Sequence, residues 1–541
     1  MRGVHRAGWA AVVTAIALVA TACGGGGGGD GERADIVSAS WGDPQSALEP
    51  GDSNESQGIR VLDMAFRGLR RYDPGTGETK DQLAESIRTT DGRTFTVTLK
   101  DGWTFSNGEP VTSRSFVDAW NYAADLRNTQ KNAGYFASIV GYDALHPTSG
   151  EPTATAMSGL AVKDPRTFTV TLKEPNPRWP QILGQHPFLP LPRTFFTDHA
   201  GWLARPVGNG PYTVDSYAKG TVMKLRRWDG YPGADKAQNG GIDLKVYTDN
   251  NTAYTDLLAG NLDLVDDISG QQLKKVREDL GDRYLTRPAL IIQTLGFPMY
   301  DARWNGPGME KVRKGISMAI DRDEITRQIF RGTRTPAKDW TSPALGVRGG
   351  YSDDVCGEAC AYDPVEAKRL VAEGGGLPGG RMTITSNTDA GSHREWMEAV
   401  CNSVNNALGQ GPVCVIDPVG TFAEFRDRVE GHQVPGPFRS SWQGDYPYIQ
   451  EFLEPLFHTD GPVNDSGFSD GRFDRLVEAA RAEPDTDRAT ALFLDAEKVL
   501  AERMPAIPLW YQNGGVGFSE RLSNVTLNQF GAPVYEQIEV G

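Results

Sequence analysis

Residues 93–116 read RTFTVTLKDGWTFSNGEPVTSRSF, and their first eight letters return unchanged at Arg166–Lys173. Within Thr94–Lys100 the apolar Phe95, Val97 and Leu99 alternate with threonines, so one face is apolar and the other polar. That period of two marks a half-buried strand. Asp101-Gly102 then turns the chain. No longer period accompanies the repeat, so it does not build a solenoid. A helix is expected over Ser115–Leu126, between the two copies. Both copies therefore fit one antiparallel sheet of a single subdomain.

Downstream the pattern turns helical. Asp363-Pro364 opens a helix, with Asp363 as cap, Pro364 at the first position, Glu366 completing a capping box and Gly374 as the stop. Asp321 and Glu324 make a similar start behind the stripe Val312, Ile316, Ala319 and Ile320. Phe473, Leu476, Val477 and Ala480 stripe another helix. Leu492, Phe493, Ala496 and Leu500 stripe one more, which ends at Pro505, and Ile507–Tyr511 reads as a strand. Strands between such helices indicate an α/β lobe. No low-complexity linker follows Gly31, which favours intertwined lobes over beads on a string.

The amino terminus carries an address. Arg2 and Arg6 precede an apolar stretch from Ala7 to Ala22, and the small residues Ala20, Thr21 and Ala22 stand directly before Cys23. This charge order reads as a secretory signal, too short for a confident spanning helix. The small residues before Cys23 resemble a bacterial lipobox, in which that thiol is lipidated. Ala20 departs from the leucine commonest at its position. An uncleaved anchor or ordinary cleavage nearby are the other readings. Gly24–Gly29 follow, six residues with no side chain to pack, and read as a leash. The expectation is an exported globular body tethered to the outer face of a membrane by lipid.

The chain has 541 residues, 39% of them hydrophobic, which suffices for two or three domains. Its formal net charge of −15 repels phosphate backbones and argues against nucleic-acid partners. Beyond Cys23 there are four cysteines, and outside the membrane four favour two disulfides. Local pairing is preferred, Cys356–Cys360 and Cys401–Cys414. Zinc is the alternative, although C-x3-C with two distant cysteines is a poor zinc pattern.

Chemistry-bearing motifs are missing. There is no G-x-S-x-G, H-E-x-x-H or G-x-x-x-x-G-K, and Gly208-Asn209-Gly210 lacks the third glycine of a dinucleotide loop because Thr213 stands there. Histidines such as His146, His186, His393, His432 and His458 are scattered singly. Neither a catalytic role, nor a cofactor, nor a metal site is expected. Paired carboxylates of the glycosidase kind are not signalled by any spacing.

A set of phrases resembles one family, the peptide-binding proteins of bacterial ABC importers (solute-binding family 5). Trp103–Phe116 resembles its "F-x-[DN]-G-x-P-[VL]-T-A-x-D-[VF]" segment, and Val207–Tyr212 its G-T-G-P-Y turn. Leu257–Asp266, Val312–Asp323, Gly444–Phe457, Ser466–Leu476 and Pro505–Tyr511 resemble later phrases in family order. Pro44-Gln45-Ser46 with Glu49-Pro50 resembles the first-strand phrase, with Ala47 as an extra residue. The resemblance implies a periplasmic-binding-protein-like α/β fold with two hinged ligand lobes, domains I and III, and an inserted domain II. The expected bounds are 1–22 for the signal, 23–34 for the tether, 35–73, 206–299 and 506–541 for domain I, 74–205 for domain II and 300–505 for domain III.

The resemblance also implies a task. A peptide bound between domains I and III closes the hinge and is delivered to permease subunits, with the receptor a lipid-anchored monomer. Burying a peptide requires partners for its amine, its carboxylate and its main chain. Asp445 stands where the family's aspartate meets the α-amino group. On residues alone it reads equally as a turn aspartate capping the helix after Pro447. Trp442 is a candidate pocket wall or a core residue. Asp43, with Trp41 and Gly42, lies where the family's first strand edge meets the peptide backbone. Arg394 and Arg439 are positional candidates for the carboxylate. Other readings are the same fold carrying nickel, a sugar or a signalling peptide, and a secreted hydrolase of cell-wall or carbohydrate substrates.

Overall fold

A computed structural model describes residues 35–268, 272–389, 392–409 and 411–541. The expected signal, the lipidation candidate Cys23 and the glycine leash lie outside the described residues. Among the described residues no helix is long and apolar enough to cross a membrane.

A first lobe grows around β1 (Ile36–Trp41), where Val37, Ala39 and Trp41 are buried. The hairpin β2 (Arg70–Tyr72) and β3 (Thr79–Asp81) follows. A separate antiparallel sheet is then inserted, made of β4 (Ala84–Arg88), β5 (Thr94–Leu99), β6 (Leu160–Asp164) and β7 (Thr167–Thr171) in the order β4-β5-β7-β6. The twin strands β5 and β7 are direct neighbours. Thr96 faces Thr169, and the flanking pairs are Phe95 with Val170 and Val97 with Phe168. Identical sequences running antiparallel make a local two-fold, and each aromatic meets a β-branched residue on the buried face. The helix between them spans Ser113–Ala124, two residues earlier than expected. The Ser115 hydroxyl accepts from the Thr112 N–H at 3.1 Å, which starts the helix there.

The chain returns to the first sheet through β8 (Tyr212–Ala218), β9 (Val222–Arg227), β10 (Gly241–Val246) and β11 (Leu264–Val265). It crosses to a second lobe along β12 (Tyr284–Gly296). That lobe contributes β13 (Arg334–Pro336), β14 (Met382–Asn387), β15 (Cys414–Val419) and β16 (Phe438–Gln443), and β17 (Ala506–Phe518) crosses back. One mixed sheet results, in the order β15-β14-β16-β12-β17-β11-β1-β10-β9-β8, with β13 on β17.

Burial divides this sheet into two bodies. Val37 and Leu244 of the first lobe share one core with Phe95, Trp120 and Phe168 of the inserted domain. The second lobe has its own core, with Ile292, Trp396, Phe493 and Trp510. Among the described strands β12 and β17 serve both, with Leu285 and Val516 at the first core and Leu290 and Tyr511 in the second. Between these anchors the ladder slips register, from Pro288 opposite Asn513 to Ile292 opposite Tyr511. A Cβ on Gly514 would fall 2.4 Å from the Gly531 Cα, so backbone meets backbone there and only glycine fits. Two long strands with an irregular, side-chain-poor middle form a hinge between separately packed lobes.

The helices of the second lobe keep their caps but not their boxes. Asp363 accepts from the Val365 and Glu366 N–H groups at the start of the helix Pro364–Glu373. Glu366 pairs instead with Arg369, and the Asp363 N–H donates to the Met318 carbonyl. Asp321 behaves alike, since its N–H goes to the Ser403 hydroxyl and Glu324 pairs with Arg327. Tertiary acceptors thus took the donors that a capping box would use. Cys356–Cys360 and Cys401–Cys414 are disulfides, so these thiols cannot hold zinc as thiolates. From the inserted domain Arg178, 4% exposed, donates to the Ala480, Arg481 and Glu483 carbonyls. It closes the carboxyl end of the helix Gly471–Ala482 and clips the inserted domain to the second lobe.

Candidate functional site

The cleft between the lobes holds two connected cavities. The larger, about 1170 Å³, is lined by Ser40, Trp41, Gly42 and Tyr247 from the first lobe and by Ile291, Phe330 and Arg334 from the second. The smaller, about 370 Å³, is lined by Tyr72, Tyr135, Gln443, Gly444 and Asp445. Ser56, Arg60, Phe530 and Ala532 border both. Two strand edges open on this space. β16 pairs with β12 along its length but with β14 only at Phe438, so one edge of residues 439–443 has no strand beside it. β1 pairs with β11 only at Ala39, which leaves the same side of Ser40 and Trp41 open. Unpaired edges accept an added strand.

Around Asp445 the smaller cavity carries the aromatic Tyr72 and Tyr135, while Arg60, Arg67, Arg70 and Arg71, each paired with a carboxylate, line the rest of it. Asp445 is half-buried, and the Tyr135 hydroxyl of the inserted domain lies within hydrogen-bonding reach of its carboxyl. Burial raises the Asp445 pKa, with Tyr135 opposing. Glu451, at the start of the helix Gln450–Phe457, lies nearby, its Cγ 3.6 Å from where a Gly444 Cβ would stand. A side chain on Gly444 would also strike the Phe452 ring at 2.7 Å, so the glycine lets the acid pair pack. Burial, then repulsion from Asp445, pushes Glu451 up to about 8, while Tyr446 opposes by hydrogen bonding. Among the described residues neither carboxyl has an ion-pair partner. Burial of two acids side by side thus keeps Glu451 protonated at neutral pH.

This arrangement has a consequence for stability. The folded pKa of Glu451 exceeds the ordinary 4.5. Its contribution is therefore full below about pH 4.5 and is lost as pH rises through about 8. Glu451→Gln keeps the hydrogen bond without the titration. The variant should gain about 1–3 kcal/mol on the wild type at pH 9 relative to pH 5, the remaining solvent contact having reduced the full effect. Melting curves at the two pH values measure this, and parallel pH profiles for the two proteins would refute it.

The opposite side of the second lobe is cationic. Strand alternation puts Arg439, Ser441 and Gln443 of β16 on one face, with Leu295, Gln293 and Ile291 of β12 opposite them. Arg439 donates to the Asn387 side-chain carbonyl at 3.4 Å, and its buried Nε has no partner. Gln293 Nε2 and Trp510 Nε1 on the neighbouring strands are also buried donors without acceptors. Arg334 on β13 lines the larger cavity, 5.3 Å over the Phe330 ring, and burial pulls its pKa down to about 10. His393 is driven down to about 4 by burial and by the charges of Arg439 and Arg334. Its Nδ1 accepts from the Trp396 indole at 2.9 Å, so a neutral ring carries its proton on Nε2. Arg439, Gln293 and Trp510 here hold buried N–H groups without acceptors, and unmet donors of this kind suit an oxyanion.

Residues 78–464 match the profile of the bacterial extracellular solute-binding proteins, family 5. The chain belongs to this family. It is 26% identical over 500 residues to the oligopeptide-binding protein OppA of Bacillus subtilis, covering 89% of this chain and 88% of that one. Its fold is similar to that of the murein tripeptide-binding protein MppA of Escherichia coli in the unliganded open form, with a TM-score of 0.83 at 21% identity, over 94% of this chain and 98% of that one. It is also similar to Haemophilus influenzae OppA in complex with the peptide RPPGFSPFR, with a TM-score of 0.65 at 18% identity, over 94% and 99%.

In this family 5 solute-binding protein the residues singled out from sequence separate. Asp445, Trp41 and Gly42 line the cleft. Trp442 does not, because period-two alternation turns it to the other face, where it borders a void of about 20 Å³ with Ile292 and Phe438. Asp43 accepts from the Tyr217 hydroxyl and the Gly220 N–H, both at 2.8 Å, and so braces the β8–β9 hairpin. Gly42 has room for a side chain, since a Cβ would meet only Gln57 at 3.5 Å. Arg394 is exposed and faces Glu398 at 3.8 Å, outside the cationic cluster. Tyr72, Tyr135 and Arg334 also line the cavities, with Glu451, Gln293 and His393 close behind, and the sequence patterns do not mark them as ligand contacts. Glu451 carried one signal, its place six residues after Asp445 in the same phrase.

Proposed function

We propose that this solute-binding protein captures short peptides in the interlobe cleft and passes them intact to an ABC permease. Lipid on Cys23 holds it at the outer membrane face as a monomer, and residues 74–205 form the inserted domain. One observation carries the reading: among the described residues Asp445 at one end of the cleft has no cation partner and Arg334 at the other has no carboxylate partner, with Arg439, also lacking one, on the same face of β16 as the cavity-lining Gln443, along open strand edges. That distribution complements an extended zwitterion. Asp445 takes the ammonium and Arg439 the carboxylate, while β16 and β1 pair with the main chain. Asp445 lies six residues after Arg439, roughly 20 Å of extended chain. A ligand that grips both anchors is then about four to six residues long. The peptide-binding names of the relatives support this reading.

Titrating one tetrapeptide with free ends, with an acetylated amine and with an amidated carboxylate tests it. Each block leaves one buried charge unmatched and should weaken binding by about 2–5 kcal/mol. Equal affinity for all three forms would refute recognition by the ends. Mass spectrometry of ligand recovered after incubation should return the peptide uncut.

A further inference from the structure

The cationic end holds more charge than one carboxylate can match. Arg439 and Arg334 approach from different strands, and their combined field reaches the same imidazole, His393. Neither guanidinium has a carboxylate at ion-pair distance among the described residues. Asp389 acts on Arg439 from further away, and its oxygens are engaged by the Asn387 amide and the Phe422 N–H at 2.6 and 2.9 Å. Arg426, the other cation near Arg439, is neutralised by Asp465 and Glu430. Glu395 borders the larger cavity, yet no acid figures among the influences on Arg334. Among the described residues the Arg334 guanidinium donates to the adjacent Thr333 carbonyl, at 2.8 Å. Holding two guanidinium groups half-buried without carboxylates is costly until anions arrive.

We propose that Arg334 is a specificity residue for ligands whose last residue bears an acidic side chain. This rests on the reading that Arg439 receives the terminal carboxylate. Arg439 stands on the sheet face beside Gln293, Ser441 and the open edge, where a strand-paired ligand ends. Arg334 projects into the larger cavity, where the side chain of that last residue would extend. A carboxylate there meets a planar, pre-oriented fork stacked on Phe330, which favours two parallel hydrogen bonds. The ligand class is thus a short peptide ending in Glu or Asp, dianionic at its carboxyl end.

Two isosteric probes read this out by calorimetry at low and moderate salt, Ala-Ala-Ala-Glu and Ala-Ala-Ala-Gln. The wild type should bind the glutamate peptide roughly tenfold more tightly, and salt should narrow the gap. Arg334→Met, which keeps the stem on Phe330, should remove the preference, so that the variant binds the two peptides alike. Arg334→Gln should behave alike. Equal binding of both peptides by the wild type, or a preference that survives in both variants, overturns the assignment. Binding of neither peptide by the wild type overturns the peptide reading beneath it.

Discussion

Asp445→Asn should weaken binding of a free-amine peptide by about 2–5 kcal/mol, a rise in Kd from roughly thirtyfold to several thousandfold. The substitution is isosteric and keeps a hydrogen-bonding partner for Tyr135, so what it removes is the charge. An ammonium in the half-buried site beside Asp445 and the phenol of Tyr72 finds its nearest counter-charges in Asp445 and Glu451. Glu451 cannot fully substitute, because Tyr446 already engages it and burial keeps it protonated up to about pH 8. The folded protein itself should not suffer. Asp445 has no cation to lose, and removing a buried charge relieves its desolvation and its repulsion of Glu451. The ligand-free variant should melt at or slightly above the wild-type temperature. A double-mutant cycle with the N-acetylated peptide sharpens the test, since acetylation should cost the wild type dearly and the variant little. Unchanged affinity for the free peptide would remove Asp445 from the site.

Much of the fold could be read from residue patterns because those patterns are local. Alternation at Thr94–Lys100 and its repeat requires strands, and the buried face of each follows from Phe95, Val97, Phe168 and Val170. The caps Asp363 and Asp321 likewise act within one turn. The reciprocal halves of those capping boxes were not legible, since Met318 and Ser403, which take the cap N–H groups, come from other helices. The site divides along the same line. Asp445 was visible through its phrase. Which of Trp442 and Gln443 faces the cleft depends on how β16 registers against β12, and that is set by residues about 150 positions earlier. Asp43 turned away because Tyr217 and Gly220 offer it two donors from a hairpin far along the chain. Arg334 carried no signal at all. Its importance comes from the carboxylate it lacks, and an unmet partner is a property of three-dimensional surroundings.

Arg322→Met should cost the second lobe about 3–5 kcal/mol, because the guanidinium is a structural joint made wholly of neutral acceptors. Arg322 is 3% exposed. Its Nε donates to the Pro508 carbonyl at 2.8 Å, and Nη1 to the Ser317 and Cys360 carbonyls at 3.0 and 3.2 Å. Nη2 donates to the Ser317 hydroxyl at 2.7 Å. One side chain thus ties the helix Met309–Met318, the loop closed by Cys356–Cys360 and the strand β17 to one another. Burial lowers its pKa to about 10, still charged at neutral pH. Methionine fills the volume and sheds the desolvation penalty, yet it leaves the Pro508 and Cys360 carbonyls buried without donors, each worth about 1–3 kcal/mol. Lysine should rescue little, since a single ammonium cannot reproduce a planar fork with acceptors on three segments. The joint lies two residues from Trp510 on β17, outside both cavities. Heating should therefore unfold the variant's second lobe several degrees early, while the folded molecule at low temperature keeps wild-type peptide affinity. An unshifted melting temperature would show that these carbonyls find water or other donors, and a lost affinity at low temperature would show that Arg322 shapes the cleft as well as the lobe.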